Sequence, residues 1–261
     1  MELPVDQRTV LVTGAAQGLG REICLQMAAR RWRTVVADVN TIAGMDCVKR
    51  CREHGCESFF VSVDLETADG PGQMVAAAVA HFGRLDVLIN CAAYATVEAF
   101  PEMTARAWEQ TLLVNVRGIA LATSAAARQM TKQGGGRIIN ITSPASRMAL
   151  PNYAAYAASK AAIDSLTRSA AVALAPQNIQ VNSVAPGMMD TEMQMKTEAR
   201  FAALEGQTDM KAFLAARTAR IPTGCRTTCR EVAEAVVWLA IDAPAYVTAE
   251  RLNISGGLDK D

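Results

Sequence analysis

Short apolar runs alternate with segments of helical period almost to the end of the chain. Thr9-Val10-Leu11-Val12 is apolar and stops at a glycine turn, after which residues 18–31 repeat apolar side chains at helical spacing. Strand-like Thr34-Val35-Val36-Ala37 precedes a helix around 41–54, and β-rich Ser58 to Val63 precedes an alanine-heavy helix over 67–82. The alternation continues with a strand at Asp86-Val87-Leu88-Ile89-Asn90, a long helix over 104–131 and a strand at Arg137-Ile138-Ile139-Asn140-Ile141. A helix over 153–175, a strand from Ile179 to Val184, a helix over 230–241 and a strand from Arg251 to Ile254 complete it. Strands that are apolar at nearly every position are buried on both faces, and the intervening helices cover those faces. The pattern predicts an α/β fold, a parallel, doubly wound sheet of seven strands in a single domain over 1–261. Only residues 188–228 resist a period. They follow the carboxyl end of a strand, where open α/β sheets bind ligands, so this connection reads as a lid over a site.

Composition narrows the partners. Hydrophobic residues make up 51% of the chain, enough for a substantial core without disulfide or metal staples. Lys plus Arg and Asp plus Glu stand at 26 each, which removes the electrostatic case for nucleic acid or an anionic membrane. No apolar run approaches the ~20 residues of a membrane span. The opening Met1-Glu2-Leu3-Pro4-Val5-Asp6 lacks the apolar stretch of a secretory signal. The expectation is a cytoplasmic protein acting on a small molecule. Seven cysteines are an odd, scattered set, read as free thiols. Cys47 and Cys51, and Cys225 and Cys229, sit four apart, but only His54 and His81 are available to join them, so no metal is expected.

Three local patterns carry chemistry. The first strand runs into Thr13-Gly14-Ala15-Ala16-Gln17-Gly18-Leu19-Gly20 and then a helix. Glycines there let a pyrophosphate approach the helix N-terminus, whose open N–H groups favour an anion, although such a turn can also be purely structural. The second strand ends at Asp38, where a carboxylate can accept ribose hydroxyls and repel a 2′-phosphate. With Gln17 and Val39 as its uncharged neighbours, this points to NAD; a helix N-cap role for Asp38 is compatible. In Tyr156-Ala157-Ala158-Ser159-Lys160 a phenol and an ammonium share a helix face. A nearby cation favours the phenolate and fits the tyrosine for acid–base work, although an exposed helical pair is the plainer alternative. Tyr153 has no such partner, since Ala157 stands four residues on.

In their order along the chain, these residues resemble the short-chain dehydrogenase/reductase family, in its compact branch with a Rossmann-like fold. The resemblance is carried by Thr13 to Gly20, Asp38, Asp64, Asn90-Cys91-Ala92-Ala93, Asn115, Ser143, Tyr156 with Lys160, Pro186-Gly187 and Thr191. It implies a catalytic set of Asn115, Ser143, Tyr156 and Lys160. Tyr156 would exchange a proton with the substrate oxygen while hydride moves to or from a nicotinamide. Ser143 would hydrogen-bond that oxygen, Lys160 would lower the phenol pKa and hold the nicotinamide ribose, and Asn115 would support a water relay. For NAD, the resemblance implies contacts from the turn residues Thr13, Gly14, Gln17, Gly18, Leu19 and Gly20. It adds Asp38, Asp64, Leu65, Asn90 and Ala92, then Pro186, Gly187, Met189 and Thr191, besides Tyr156 and Lys160. The substrate would meet Ser143, Ala145, Asn152, Tyr153, Tyr156 and Met188. Met193 and Met195 join the lid, with Glu192 and Arg147 as polar candidates, and the methionines serve equally well as packing. This mixed wall fits a polyol, sugar or cyclic alcohol better than a long acyl chain.

The resemblance also implies a homotetramer built on the helices at 104–131 and 153–175. Two departures concern geometry. Ala93 stands where the family has glycine, which requires a negative φ, and Val247-Thr248-Ala249-Glu250 replaces a Thr-Gly pattern before the last strand. Epimerisation through a transient ketone and a non-catalytic NAD sensor are the alternative uses of such a chain, and a sensor would be expected to lack part of the catalytic set.

Overall fold

The computed structural model describes residues 4–259. Seven parallel strands form one sheet in the order β3-β2-β1-β4-β5-β6-β7. They are β1 (Thr9–Thr13), β2 (Arg33–Asp38), β3 (Ser58–Ser62), β4 (Val87–Asn90), β5 (Gly136–Ile141), β6 (Ile179–Pro186) and β7 (Arg251–Ile254). Alternation of side chains along each strand feeds two cores. In β1, Val10 and Val12 enter the core made with α1 (Gly18–Ala29), α2 (Thr41–Glu53) and α9 (Cys229–Ile241). Leu11 enters the opposite core, against α3 (Gly70–Phe82), α5 (Ile119–Lys132) and α6 (Ala154–Leu174). The chain runs outward from β1 to β3, then crosses back to β4 on the other side of β1. That reversal opens a crevice at the carboxyl ends of β1 and β4.

The predicted strands and most helices appear close to their expected bounds, and the differences have local causes. The helix expected from residue 67 begins at Gly70, because Thr67 Oγ1 bonds the Asp64 carbonyl and accepts from Gly70 N, holding a turn ahead of it. The helix expected over 104–131 is α4 (Ala105–Leu112), a wider π-helical stretch Leu113–Gly118, and α5. Tyr153 is the N-cap of α6 and not part of the helix. The stretch 188–228 contains two helices, α7 (Glu192–Leu204) and α8 (Met210–Thr218). Thr191 caps α7 by accepting from Gln194 N, and Asp209 caps α8 by accepting from Ala212 N. Their inner faces contribute Phe201, Ala202 and Phe213 to a small cluster with Val97 and Tyr153. Fully buried Glu198 lies 2.5 Å from Arg217 and 3.4 Å from Arg226. An inward face that mixes a carboxylate with few apolar side chains hides the helical period.

All seven cysteines are free thiols, with Cys24, Cys47, Cys51 and Cys56 buried. Among the described residues no three His, Cys, Asp or Glu side chains converge as a metal-ligand set, and no helix is long and apolar enough to cross a membrane. Ala93 has no positive φ, so the methyl group there carries no backbone strain. Ala249 differs, at φ 65° in the left-handed region. Relief of that strain, about 1–2 kcal/mol, outweighs the chain entropy and the half-buried methyl lost in Ala249→Gly. A net stabilisation of about 0.5 kcal/mol is expected, read as a higher urea midpoint at an unchanged slope. A lower midpoint contradicts it.

Candidate active site

A cleft of about 420 Å³ occupies the crevice. Its floor is the glycine turn between β1 and α1. Gly14 has φ 64°, and a side chain there would strike Ala92 Cα at 2.7 Å. A Cβ on Gly20 would stand 2.2 Å from the Gly14 carbonyl oxygen. The turn is therefore closed on itself, and no substituent fits between it and the ends of the strands. Thr13 Oγ1 accepts from Cys91 N and Ala92 N, each at 3.1 Å, which fastens β1 to the segment after β4. Gln17, Gly18 and Leu19 line the cleft beside them.

At one end, Asp38 Oδ2 accepts from Ala16 N and Oδ1 from Asn40 N, both at 2.9 Å. The carboxylate thus fixes the glycine turn and the entry to α2, while Asn40 is the residue that caps that helix. Asp64 and Leu65 line the adjoining wall. Pro186, Gly187, Met189 and Thr191 line the side under α7.

At the other end stand Ser143, Tyr156 and Lys160. The Tyr156 phenol stands beside Ser143, whose Oγ accepts from Ala145 N at 3.2 Å. Lys160 is 1% exposed; its Nζ donates to the Ile141 carbonyl at 2.8 Å and lies 5.4 Å from the Tyr156 ring centroid. The ammonium is thus held by a main-chain carbonyl. Burial pushes the phenol up to about 12, and the neighbouring Ser143 hydroxyl opposes it. Burial likewise pulls Lys160 down to about 8, against the opposing charge of Asp164 one turn further along α6. The expectation of a phenol depressed by its neighbouring amine is thus reversed in this state, because burial dominates at both groups.

Lys160 makes stability depend on pH. Its folded pKa of about 8 lies below its ordinary 10.5, so the unfolded chain binds more protons between those values. Stability from this residue is present above 10.5 and is lost as pH falls through about 8. The stability of the wild type relative to Lys160→Met should rise by about 3 kcal/mol from neutral pH to above that window, measured by denaturant unfolding. A difference that does not change with pH contradicts the assignment.

Other expected residues stand back from the cleft. Asn115 is fully buried in the π-helical stretch. Its Oδ1 accepts from Tyr94 N at 2.7 Å, and Nδ2 donates to the Tyr94 carbonyl at 2.8 Å and to Ser159 Oγ at 2.9 Å. Asn90 turns inward, donating to Asn140 Oδ1 at 2.8 Å and Thr123 Oγ1 at 3.3 Å. Ala145, Asn152 and Met188 are outside the cleft lining. Tyr153 does line it, stacked on Tyr156 at 4.4 Å. Tyr94, Cys91, Gln194 and Thr197 also face the cleft, the first two from the segment after β4 and the last two from the stretch read as a lid. Thr191 and Gln194 do carry a readable signal, the cap and its third residue at the start of α7.

A glycine turn at the β1–α1 junction, a carboxylate at the end of β2, and a serine, tyrosine and lysine thus line one crevice of the α/β fold. Residues 8–201 match the short chain dehydrogenase family, and the chain belongs to it. It is 36% identical over 253 residues to cis-4-hydroxycyclohexanecarboxylate dehydrogenase of Sinomonas cyclohexanicum, covering 96% of each chain. The fold superposes on NAD+-bound xylitol dehydrogenase with a TM-score of 0.93, 30% identity and coverage of 98% and 100%. A variant of actinorhodin polyketide ketoreductase with NADPH is similar at a TM-score of 0.94 and 30% identity, with both chains covered in full.

Proposed function

We propose that this protein is an NAD-dependent oxidoreductase that interconverts a secondary alcohol and its ketone, with a cyclic alcohol as the favoured substrate class and a polyol as the next. The observation that carries the reading is Ser143 beside Tyr156 and Lys160 in one cleft with the glycine turn and Asp38. The closed turn around Gly14 and Gly20 fits a pyrophosphate, and Asp38 fits the adenosine ribose. Among the described residues Lys160 is the only lysine or arginine lining the cleft, against the carboxylates Asp38, Asp64, Glu66 and Glu192. That balance disfavours a further phosphate and supports NAD over NADP.

When bound, the dinucleotide supplies the hydride acceptor or donor. Tyr156 Oη gives its proton to the carbonyl oxygen in reduction and takes the hydroxyl proton in oxidation. A phenol held at about 12 is protonated at neutral pH, ready to act as the acid. Ser143 donates to the same substrate oxygen and steadies its developing charge. Lys160 holds the nicotinamide ribose, and Asn115 supports the water that links Lys160 to solvent. Asn115 also fixes the wall that carries Tyr94.

The substrate side presents Tyr153, Tyr94, Met193, Gln194 and Thr197 under α7. A flat aromatic wall with a thioether and a few polar groups suits a ring bearing a polar substituent. The similarity to cis-4-hydroxycyclohexanecarboxylate dehydrogenase supports the same class. The reading includes a single domain with α7 and α8 as its lid, in the cytoplasm, assembled as a homotetramer through α5 and α6. Val172, 75% exposed on α6, supports a covered helix face there, and light scattering after size exclusion tests it.

The deciding test is a panel of cyclohexanol, cis-4-hydroxycyclohexanecarboxylate and xylitol with NAD or NADP, read as formation of the reduced dinucleotide. Turnover of a cyclic alcohol with preference for NAD is expected. No turnover of any panel alcohol, and no consumption of reduced dinucleotide with the matching ketones, refutes the proposal.

A further inference from the structure

Arg251, the first residue of β7, lies outside the cleft lining, and no motif in the sequence marks it. Its side chain is 8% exposed although it carries a charge, and such a charge persists only where partners hold it. Those partners come from separate parts of the fold. Nε lies 3.4 Å from Asp164 Oδ2 on α6. Nη1 lies 2.5 Å from Asp259 Oδ2 and also meets Asn253 Oδ1. Nη2 donates to the main-chain carbonyl of Ser143 at 3.1 Å and reaches Ser146 Oγ at 3.4 Å.

The last of these contacts matters most for the chemistry. Thr142 N donates to the Val184 carbonyl, and beyond it the chain leaves the sheet. Ser143 stands at that exit and caps the short turn Pro144–Ser146. Its carbonyl accepts from Ser146 N within the turn and from Arg251 outside it. Arg251 is thus the long-range hold on this turn, planted on the last strand. Asp164 lies one turn after Lys160 and two after Tyr156 on α6, so the same guanidinium is ion-paired with the helix carrying both. A planar fork with several fixed donors can bridge a carboxylate and a carbonyl in a set geometry.

We propose that Arg251 is a positioning residue, setting the Ser143 hydroxyl against the Tyr156 phenol by tying the Ser143 turn to α6. The proposal rests on the roles given above to Ser143 and Tyr156. Loss of the tie leaves the dinucleotide end untouched, since Asp38 and the glycine turn lie at the far end of the cleft. Misplacement of a catalytic hydroxyl by a fraction of an ångström lowers turnover without a matching loss of binding.

Arg251→Gln alone strands two buried carboxylates, so the test combines it with Asp164→Asn and Asp259→Asn in a neutral network. This variant should bind NAD as the wild type does, while kcat with the best panel alcohol falls about 10–100-fold and KM changes little. Arg251→Lys is the milder second variant. It keeps the charge the carboxylates need but cannot span them and the carbonyl together, and a smaller loss of kcat at wild-type thermal stability is expected. Ser143→Ala, assayed in parallel, separates the two levels of the account. An inactive Ser143→Ala beside folded Arg251 variants with wild-type kcat overturns the positioning role alone. Wild-type turnover in Ser143→Ala overturns the catalytic reading and this inference with it.

Discussion

Tyr156→Phe is expected to lower turnover by about 10²–10⁴-fold while NAD binding is kept, because the substitution removes one oxygen and the proton it carries. The geometry makes this a clean deletion. That hydroxyl faces Ser143, and the ring stacks on Tyr153 and lies 5.4 Å from Lys160 Nζ. Phenylalanine keeps both ring contacts, so the cleft wall and α6 should stay in place. The Ser143 hydroxyl loses a polar neighbour but lines a cleft open to water, which limits the cost to stability to about 1 kcal/mol. Steady-state kcat and the dinucleotide Kd from calorimetry check the two halves. A folded variant with wild-type kcat takes the proton-transfer role away from Tyr156.

Asp38→Ala should lower kcat/KM for NAD by about 10–100-fold and narrow the preference over NADP, since bonds from hydroxyls to an ionised carboxylate are among the stronger kind. The substitution has a second effect, because Asp38 also accepts from Ala16 N and Asn40 N. Part of the loss therefore comes from a loosened glycine turn. Asp38→Asn separates the contributions: it retains one acceptor oxygen for the backbone but removes the negative charge. Its NADP kinetics should improve relative to the wild type, as repulsion of a 2′-phosphate disappears. A wild-type enzyme that already prefers NADP contradicts the ribose argument.

The sheet was legible because β1, β2 and β4 carry apolar residues on both faces, a pattern that leaves few alternatives to a parallel sheet. The helices of the lid were not legible, although Thr191 and Asp209 cap them in an ordinary way. Glu198 occupies an inward position of α7 and is balanced by Arg217 and Arg226 from later in the chain, so a polar residue stands where the period requires an apolar one. The π-helical stretch around Asn115 lacks a proline and left no local mark on an otherwise helical pattern. At the site, spacing brought Tyr156 and Lys160 to one helix, and the family resemblance singled out Ser143 after β5. What spacing cannot convey is direction. The Lys160 ammonium turns to the Ile141 carbonyl, and Asn90 turns from the cleft toward Asn140 and Thr123. Arg251 was invisible for the same reason, since its partners Ser143 and Asp164 come from distant segments.

The most direct test of the central claim, carbon-to-dinucleotide hydride transfer at this site, follows the transferred hydrogen itself. The protein is incubated with NAD and a cyclic secondary alcohol deuterated at its carbinol carbon, and the reduced dinucleotide is analysed by mass spectrometry. The account predicts that deuterium appears in the reduced dinucleotide together with the ketone, and that both products are lost in Tyr156→Phe. Ketone formed with an unlabelled dinucleotide, or label transferred undiminished by Tyr156→Phe, contradicts it.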